Sequence, residues 1–252
     1  MKTILVTSVI ILILFSCSHN KDFIEKNCEA LKAQGIIDSF PYPVRPGSQE
    51  WKDLSSSDEM VEAVTVPESE LKRMCTHGLV YTCVYCPLFY DLMVCNFIRD
   101  CFVGMTEHIN SFGELITRPD AGIELFNYYK TYFDTTKSNI IYTVEQLRIH
   151  CVETFFAQRE FLTKLDEQEL KSVLIDAYGK LKYKQRNNIS MMSIASSNYL
   201  IVNILYYNLE YEPIIELIDR NNMEPFLTNQ MWFENQPVDS IGYLAERYIL
   251  DH

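Results

Sequence analysis

The chain of 252 residues carries 34 acidic against 22 basic side chains, a formal net charge of −12, and such a surface argues against a nucleic-acid partner, because phosphate binding draws on clustered Lys and Arg. Only 8 Gly and 9 Pro argue against a turn-rich β-sandwich or barrel. With 48% hydrophobic residues the chain can bury a substantial core, as one domain or a short array.

In chain order, Lys2 supplies a positive start and Ile4 to Phe15 an apolar stretch of about a dozen residues. That is the proportion of an export signal, and it falls short of the roughly 20 residues a membrane span requires. The stretch ends Leu14-Phe15-Ser16-Cys17, which resembles the lipobox of bacterial lipoproteins. The resemblance implies cleavage before Cys17, a diacylglyceryl group on its thiol and acylation of the new amino terminus. Each buried methylene contributes about 0.8 kcal/mol, so several acyl chains on one residue anchor firmly. Cleavage removes Lys2 and no acid, leaving −13 on the mature chain. The next residues, Ser18-His19-Asn20-Lys21-Asp22, lack the acidic run that often marks surface-exported lipoproteins of the Bacteroidetes. The expected address is therefore the cell envelope, on the periplasmic face of the outer membrane.

Residues 17–50 read as a lipidated tether, a short helix and a Pro-rich linker. Phe23, Ile24, Cys28 and Leu31 fall at helical spacing, and Pro41, Pro43, Pro46 and Gly47 then break any regular element, leaving a linker or an extended wrap. An all-helical globular domain is expected over residues 51–252, beginning near Trp51. Ser56 with Glu59, Ser111 with Glu114, Thr143 with Gln146 and Asp166 with Glu169 each set a capping oxygen three residues before an acid or amide, the signature of a helix N-terminus. Pro67, Pro87, Pro119, Pro213 and Pro237 fit first helical turns.

Leu147, Cys151, Phe155, Gln158 and Leu162 trace one stripe, interrupted only by the glutamine, and Leu170, Val173, Leu174, Ala177, Tyr178 and Leu181 trace a second. Residues 190–209 are apolar around more of their circumference and predict a central helix. Strands are conceivable at Ile140 to Tyr142 and Leu200 to Leu205, but neither has a hairpin partner, so helix is expected. Helix starts near residues 119, 143, 167, 190 and 213 recur about every 24 residues, so a helix pair occupies roughly 47, the upper end of HEAT and armadillo periods. The expected fold is all-α, an α-α superhelix or solenoid-like stack of helical hairpins, with an irregular helical bundle as the alternative.

Trp51, Leu54, Glu59-Met60, Ala63, Pro67, Leu71, Met74, Thr76, Leu79-Val80, Thr82-Cys83 and Pro87 form one block of residues. Asn110, Glu114-Leu115, Arg118, Asp120 and Ala121 form a second. Over this region, under a third of the chain, the sequence resembles a family of lipoproteins from gut and oral Bacteroidales. The resemblance implies an envelope lipoprotein and no particular activity.

Seven cysteines remain after Cys17, namely Cys28, Cys75, Cys83, Cys86, Cys95, Cys101 and Cys151, and an odd number cannot all pair within one chain. Their apolar neighbours read as those of small buried hydrophobes. Cys83 and Cys86 form a CxxC, but no βαβ context supports a redox dithiol, and Cys95 with Cys101 would have to complete any zinc site without a second CxxC. Glu114, Arg118 and Asp120 are the candidate polar cluster. One reading is a carboxylate pair positioned by arginine, able to hold a ligand or move a proton; the other is a salt bridge joining two helices across a loop.

His77, His108 and His150 are scattered, with His77 as a possible cap. The aromatic pairs Tyr128-Tyr129, Phe155-Phe156, Tyr206-Tyr207 and Trp232-Phe233 are spaced for helix interfaces; exposed, they would offer a groove for sugar rings or a protein. No nucleotide-binding or hydrolase motif occurs, and no catalytic residue, metal or cofactor is assigned. The expected function is a membrane-anchored interaction or scaffold module with a protein partner in the envelope. The alternatives are an envelope enzyme using a carboxylate pair in a helical cleft, and a sugar- or peptide-binding lipoprotein.

Overall fold

The structure is a computed structural model, and it describes residues 27–95, 97–132, 144–228 and 238–252. Cys17, Thr143, Pro237, Trp232-Phe233 and the segment Ile140 to Tyr142 lie outside the described residues.

In chain order the helices are α1 (residues 27–33), α2 (Gln49–Lys52), α3 (Ser57–Ala63), α4 (Glu68–Leu71), α5 (Thr76–Val84), α6 (Ile98–His108), α7 (Asn110–Thr117) and α8 (Ala121–Tyr132). There follow α9 (Val144–Phe156), α10 (Arg159–Leu162), α11 (Glu167–Arg186), α12 (Met191–Asn203), α13 (Glu212–Arg220), α14 (Glu224–Thr228) and α15 (Val238–Asp251). A 3₁₀ segment (Phe89–Met93) lies between α5 and α6, and a π segment (Ile204–Asn208) continues α12. The all-α fold class is as expected, with no strand among the described residues.

Local chemistry sets these boundaries. Asp166 accepts from the Glu169 amide at 2.8 Å while the Glu169 carboxylate accepts from the Asp166 amide at 2.9 Å, so a full capping box opens α11. Ser56 and Ser190 cap α3 and α12 through the amides of Glu59 and Ser193, and Pro213 sits in the first turn of α13. The expected starts near 119, 143, 167, 190 and 213 fall at Ala121, Val144, Glu167, Met191 and Glu212.

The expected cap at Ser111 is corrected. The helix begins one residue earlier, and Ser111 is buried within it. Asn110 instead exchanges two hydrogen bonds with the Val66 backbone, at 3.1 and 2.7 Å, pinning α7 to the segment before α4.

The two apolar stripes point inward, apart from exposed Leu147 and partly exposed Tyr178, but the first is corrected as a single helix: α9 ends at Phe156, and Gln158 and Leu162 belong to the cap and body of α10. Phe155 gathers Phe89, Phe102, Phe112 and Phe161 around it at centroid separations of 4.7–5.6 Å, edge-on or tilted as ring quadrupoles prefer. Gly122 allows α8 close to α10, where a Cβ would stand 2.6 Å from the Phe161 carbonyl oxygen. Helix α12 is central, buried from Ser193 to Asn203 and packed against α9, α11, α14 and α15.

Between α9, α11 and α12 lies a sealed polar seam. Lys184 Nζ donates to Glu153 Oε2 at 2.6 Å, Ser193 O at 2.8 Å and Ser197 Oγ at 2.9 Å. Glu153 also accepts from Ser196 Oγ, from Ser197 Oγ at 2.9 Å and from the Tyr129 hydroxyl of α8 at 2.8 Å. Burial would raise the Glu153 carboxyl, but the Lys184 charge and these donors outweigh it and hold the group below the usual carboxylate range.

Two disulfides are present, Cys28–Cys75 and Cys95–Cys101. Cys83, Cys86 and Cys151 are unpaired and buried, so the small-hydrophobe reading holds for these three and is corrected for the four paired cysteines. The Cys28–Cys75 bridge ties α1 to the residue preceding α5 across a sequence separation of 47. Replacing both by Ser is expected to remove roughly 2 kcal/mol of local stability, about thirtyfold in exchange rate. Hydrogen exchange should show the Phe40 amide accelerated and the α12 amides unchanged.

Candidate functional site

The Pro-rich segment ahead of Trp51 is a wrap fixed to the helices. Asp38 Oδ2 accepts from the Cys75 amide at 2.8 Å, His77 Nε2 pairs with Ile36 O at 3.1 Å and the Phe40 amide donates to Thr82 Oγ1 at 2.9 Å. Gly78 makes room for the Asp38 carboxylate, which a Cβ there would strike. Tyr42 is 2% exposed and its hydroxyl lies 3.4 Å from Ser111 Oγ. His77 thus holds the wrap, and its reading as a cap is corrected, since it lies in the first turn of α5 and bonds a carbonyl of the wrap. Asp38, Cys75 and His77 place ligand-type atoms within 4.8 Å of one another, but the Cys75 sulfur is spent in the disulfide and Asp38 is occupied in capping α5.

So fixed, the wrap forms one wall of an open cavity of about 520 Å³, with the C-terminal end of α5 as the floor and Arg148 of α9 on the far side. Ile37, Phe40, Pro41, Pro46, Val84 and Pro87 give it an apolar body, and Tyr81, Tyr85 and Tyr90 add rings and hydroxyls. Its charged lining residues are Arg45 and Arg148; no carboxylate lines it among the described residues. In a chain with 34 acids and 22 bases, the charged lining of this cavity is reversed in sign, although Arg45 also donates to Tyr42 O and Pro41 O.

The rings are already engaged with one another. Arg148 stacks over Tyr85 at 4.2 Å, Tyr85 lies parallel to Tyr81 at 6.1 Å, and Tyr128 meets Tyr81 edge-on at 4.8 Å. Cys86 at the floor is pushed up to about 11 by burial, which keeps it a thiol at neutral pH. A second cavity of about 340 Å³ shares Ile37 and Tyr81 with the first, so the groove continues past Ile37 toward Lys32, His77, Glu124 and Asn127. Lys32 and Glu124 pair across that end.

No protein-family model, no curated protein and no solved structure matches the chain. The chemistry therefore rests on the geometry.

Glu114, Arg118 and Asp120 lie elsewhere. Arg118 donates to Glu114 Oε1 at 2.7 Å and to Leu71 O at 3.2 Å, whereas Asp120 Oδ1 accepts from Thr76 Oγ1 at 2.8 Å. Lys164 Nζ donates to Ile116 O and Arg118 O, each at 2.8 Å. Arg118 joins Glu114 to the end of α4, and Asp120 is turned to the first turn of α5. Together these bonds tie α7 and the loop after it to α4, α5 and the end of α10, and none of the three residues lines either cavity of the groove.

The CxxC is likewise structural, since burial raises both Cys83 and Cys86 and the geometry leaves them unpaired. Cys95 and Cys101 are crosslinked to each other, which removes the two further sulfurs a zinc site would have used. Tyr128, Tyr129, Phe155 and Phe156 are core residues, and Tyr206 and Tyr207 are half-buried. Sequence reasoning missed Arg45 and Arg148. The available signal was Arg45 alone, set between Val44 and Pro46 in a wrap segment without a neighbouring acid.

Proposed function

We propose that the chain is a lipid-anchored envelope lipoprotein whose groove captures an extended acidic and apolar peptide segment of a partner protein. The observation that carries the reading is a largely apolar groove lined by Arg45 and Arg148 and by no carboxylate on the side of the larger cavity. Arg guanidinium groups bind carboxylates through short charge-assisted hydrogen bonds, and an apolar trough supplies the burial. A sugar ligand is less well served, because sugars stack on open aromatic faces, whereas Arg148 already lies over the Tyr85 ring, itself 44% exposed, and Tyr128 meets Tyr81 edge-on.

Export is supported by the lipobox at Cys17 and, independently, by two disulfides, which persist in oxidising compartments. Among the described residues no helix is long and apolar enough to cross a membrane.

Selection of a random peptide display library on the full chain in detergent micelles is expected to enrich Asp or Glu beside Leu, Phe or Tyr. Arg45→Gln and Arg148→Gln should each weaken the selected peptide by roughly tenfold or more. Peptides indifferent to both substitutions, or capture of a glycan in place of peptides, would overturn the reading. Mass spectrometry of the mature amino terminus tests the anchor; a bare Cys17 behind an intact Met1 would remove it.

A further inference from the structure

A separate cleft lies where Gln158, the residue that caps α10, follows the end of α9. That glutamine is 3% exposed; its Nε2 donates to Thr154 O at 3.1 Å and to the Tyr199 hydroxyl at 3.4 Å, and its Oε1 accepts from Arg99 Nη1 at 3.3 Å. Tyr199, Asn203 and Tyr207, spaced four apart, line the same cleft. In a helix of 3.6 residues per turn, positions four apart drift by about 40° around the axis each time. Here the Leu209 amide reaches back to Ile204 O at 3.0 Å, and the wider π turn takes up most of that drift. The π segment carries Tyr207, which lines the cleft together with Asn203 one turn before it, and such segments recur at functional sites.

Charge is placed with equal economy. Glu160 binds Arg99 through both oxygens, at 2.7 and 2.5 Å, and so neutralises it. Arg159 is exposed, lies 3.9 Å over the Tyr207 ring and forms no ion pair among the described residues. The cavity holds about 190 Å³, too small for a peptide, and no carboxylate lines it among the described residues.

We infer that the cleft formed by Arg99, Gln158, Arg159, Tyr199, Asn203 and Tyr207 binds a small hydroxylated monocarboxylate such as a sugar acid. Gln158, Tyr199 and Asn203 are each at most 3% exposed and are held by bonds to one another and to the backbone, so they give the cleft a fixed polar wall that a hydroxylated ligand can meet. Arg159 forms no ion pair of its own among the described residues, only a longer-range attraction to Glu160, and a single such guanidinium suits one negative charge held in bidentate fashion. The site is independent of the groove and shares no residue with it.

Isothermal titration of the full chain with sodium glucuronate tests it, with glucose and inorganic phosphate as separate arms. The expected result is saturable one-to-one binding of glucuronate, with glucose and phosphate weaker by roughly tenfold or more, and a loss of similar size for Arg159→Gln. Amide shifts in the unmodified protein should centre on Gln158, Asn203 and Tyr207, a readout that requires no variant. Absence of saturable heat, phosphate binding as tightly as glucuronate, or a variant with unchanged affinity would each overturn the proposal.

Discussion

Lys184→Met is expected to lower the unfolding free energy by about 3–5 kcal/mol, because it strands the Glu153 carboxylate in a sealed interior. Lys184 and Glu153 side chains are 1% and 0% exposed, and Tyr129, Ser193, Ser196 and Ser197, which bond to the pair, lie on α8 and α12. In a chain of this size such a loss lowers the melting midpoint by roughly 10 °C. Glu153→Gln combined with Lys184→Met removes both charges and should restore at least half of the loss, since desolvation then falls on neutral groups. Urea titration of the three variants measures this. A single-variant loss below about 1 kcal/mol would show that the interior admits water around the pair.

The second large effect is a loss of stability in mild acid. His150 is 2% exposed on α9, and neither ring nitrogen forms a hydrogen bond of good geometry, although the Met192 carbonyl stands close enough to favour the protonated ring slightly. Burial, then the Lys184 charge, depress its pKa to about 4, with Glu153 acting in the opposite direction. The folded state thus binds this proton less readily than the unfolded state, whose imidazole titrates near 6.5. Stability from this group is fully present above pH 6.5 and is lost as pH falls through that value toward 4, to a total of about 3 kcal/mol. Glu153, held below its usual range, loses its contribution only at still lower pH. Denaturation midpoints measured from pH 7.5 to 4 should fall along this curve, and His150→Leu should flatten it. A wild-type curve that is level between 6.5 and 4.5 would mean that the ring is hydrated.

The helices were legible because their signals are local. Asp166 and Glu169 sit three apart and close on each other; the stripe from Leu170 to Leu181 repeats at the helical period and faces inward, with Tyr178 at its edge. Ser111 misled because its spacing from Glu114 imitates a cap while Asn110, one residue earlier, forms tertiary bonds to Val66 that no local pattern encodes. The groove was illegible for the same reason. Its walls come from residues near 40, 85 and 148, and only the folded wrap brings Arg45 and Arg148 to one cavity. Glu114, Arg118 and Asp120 were visible as a charged cluster, yet sequence could not show that Asp120 turns toward Thr76. Gln158 was the one overt clue, a polar residue breaking an apolar stripe, and it marks the smaller cleft.

The Cys28–Cys75 bridge has a mechanical corollary. Tension applied at the amino terminus reaches the body by two routes, along the main chain and through the cystine. A protease cutting anywhere between residues 29 and 74 would leave the amino-terminal fragment fastened to the rest, and separating the two pieces would then demand a reductant as well as the cut.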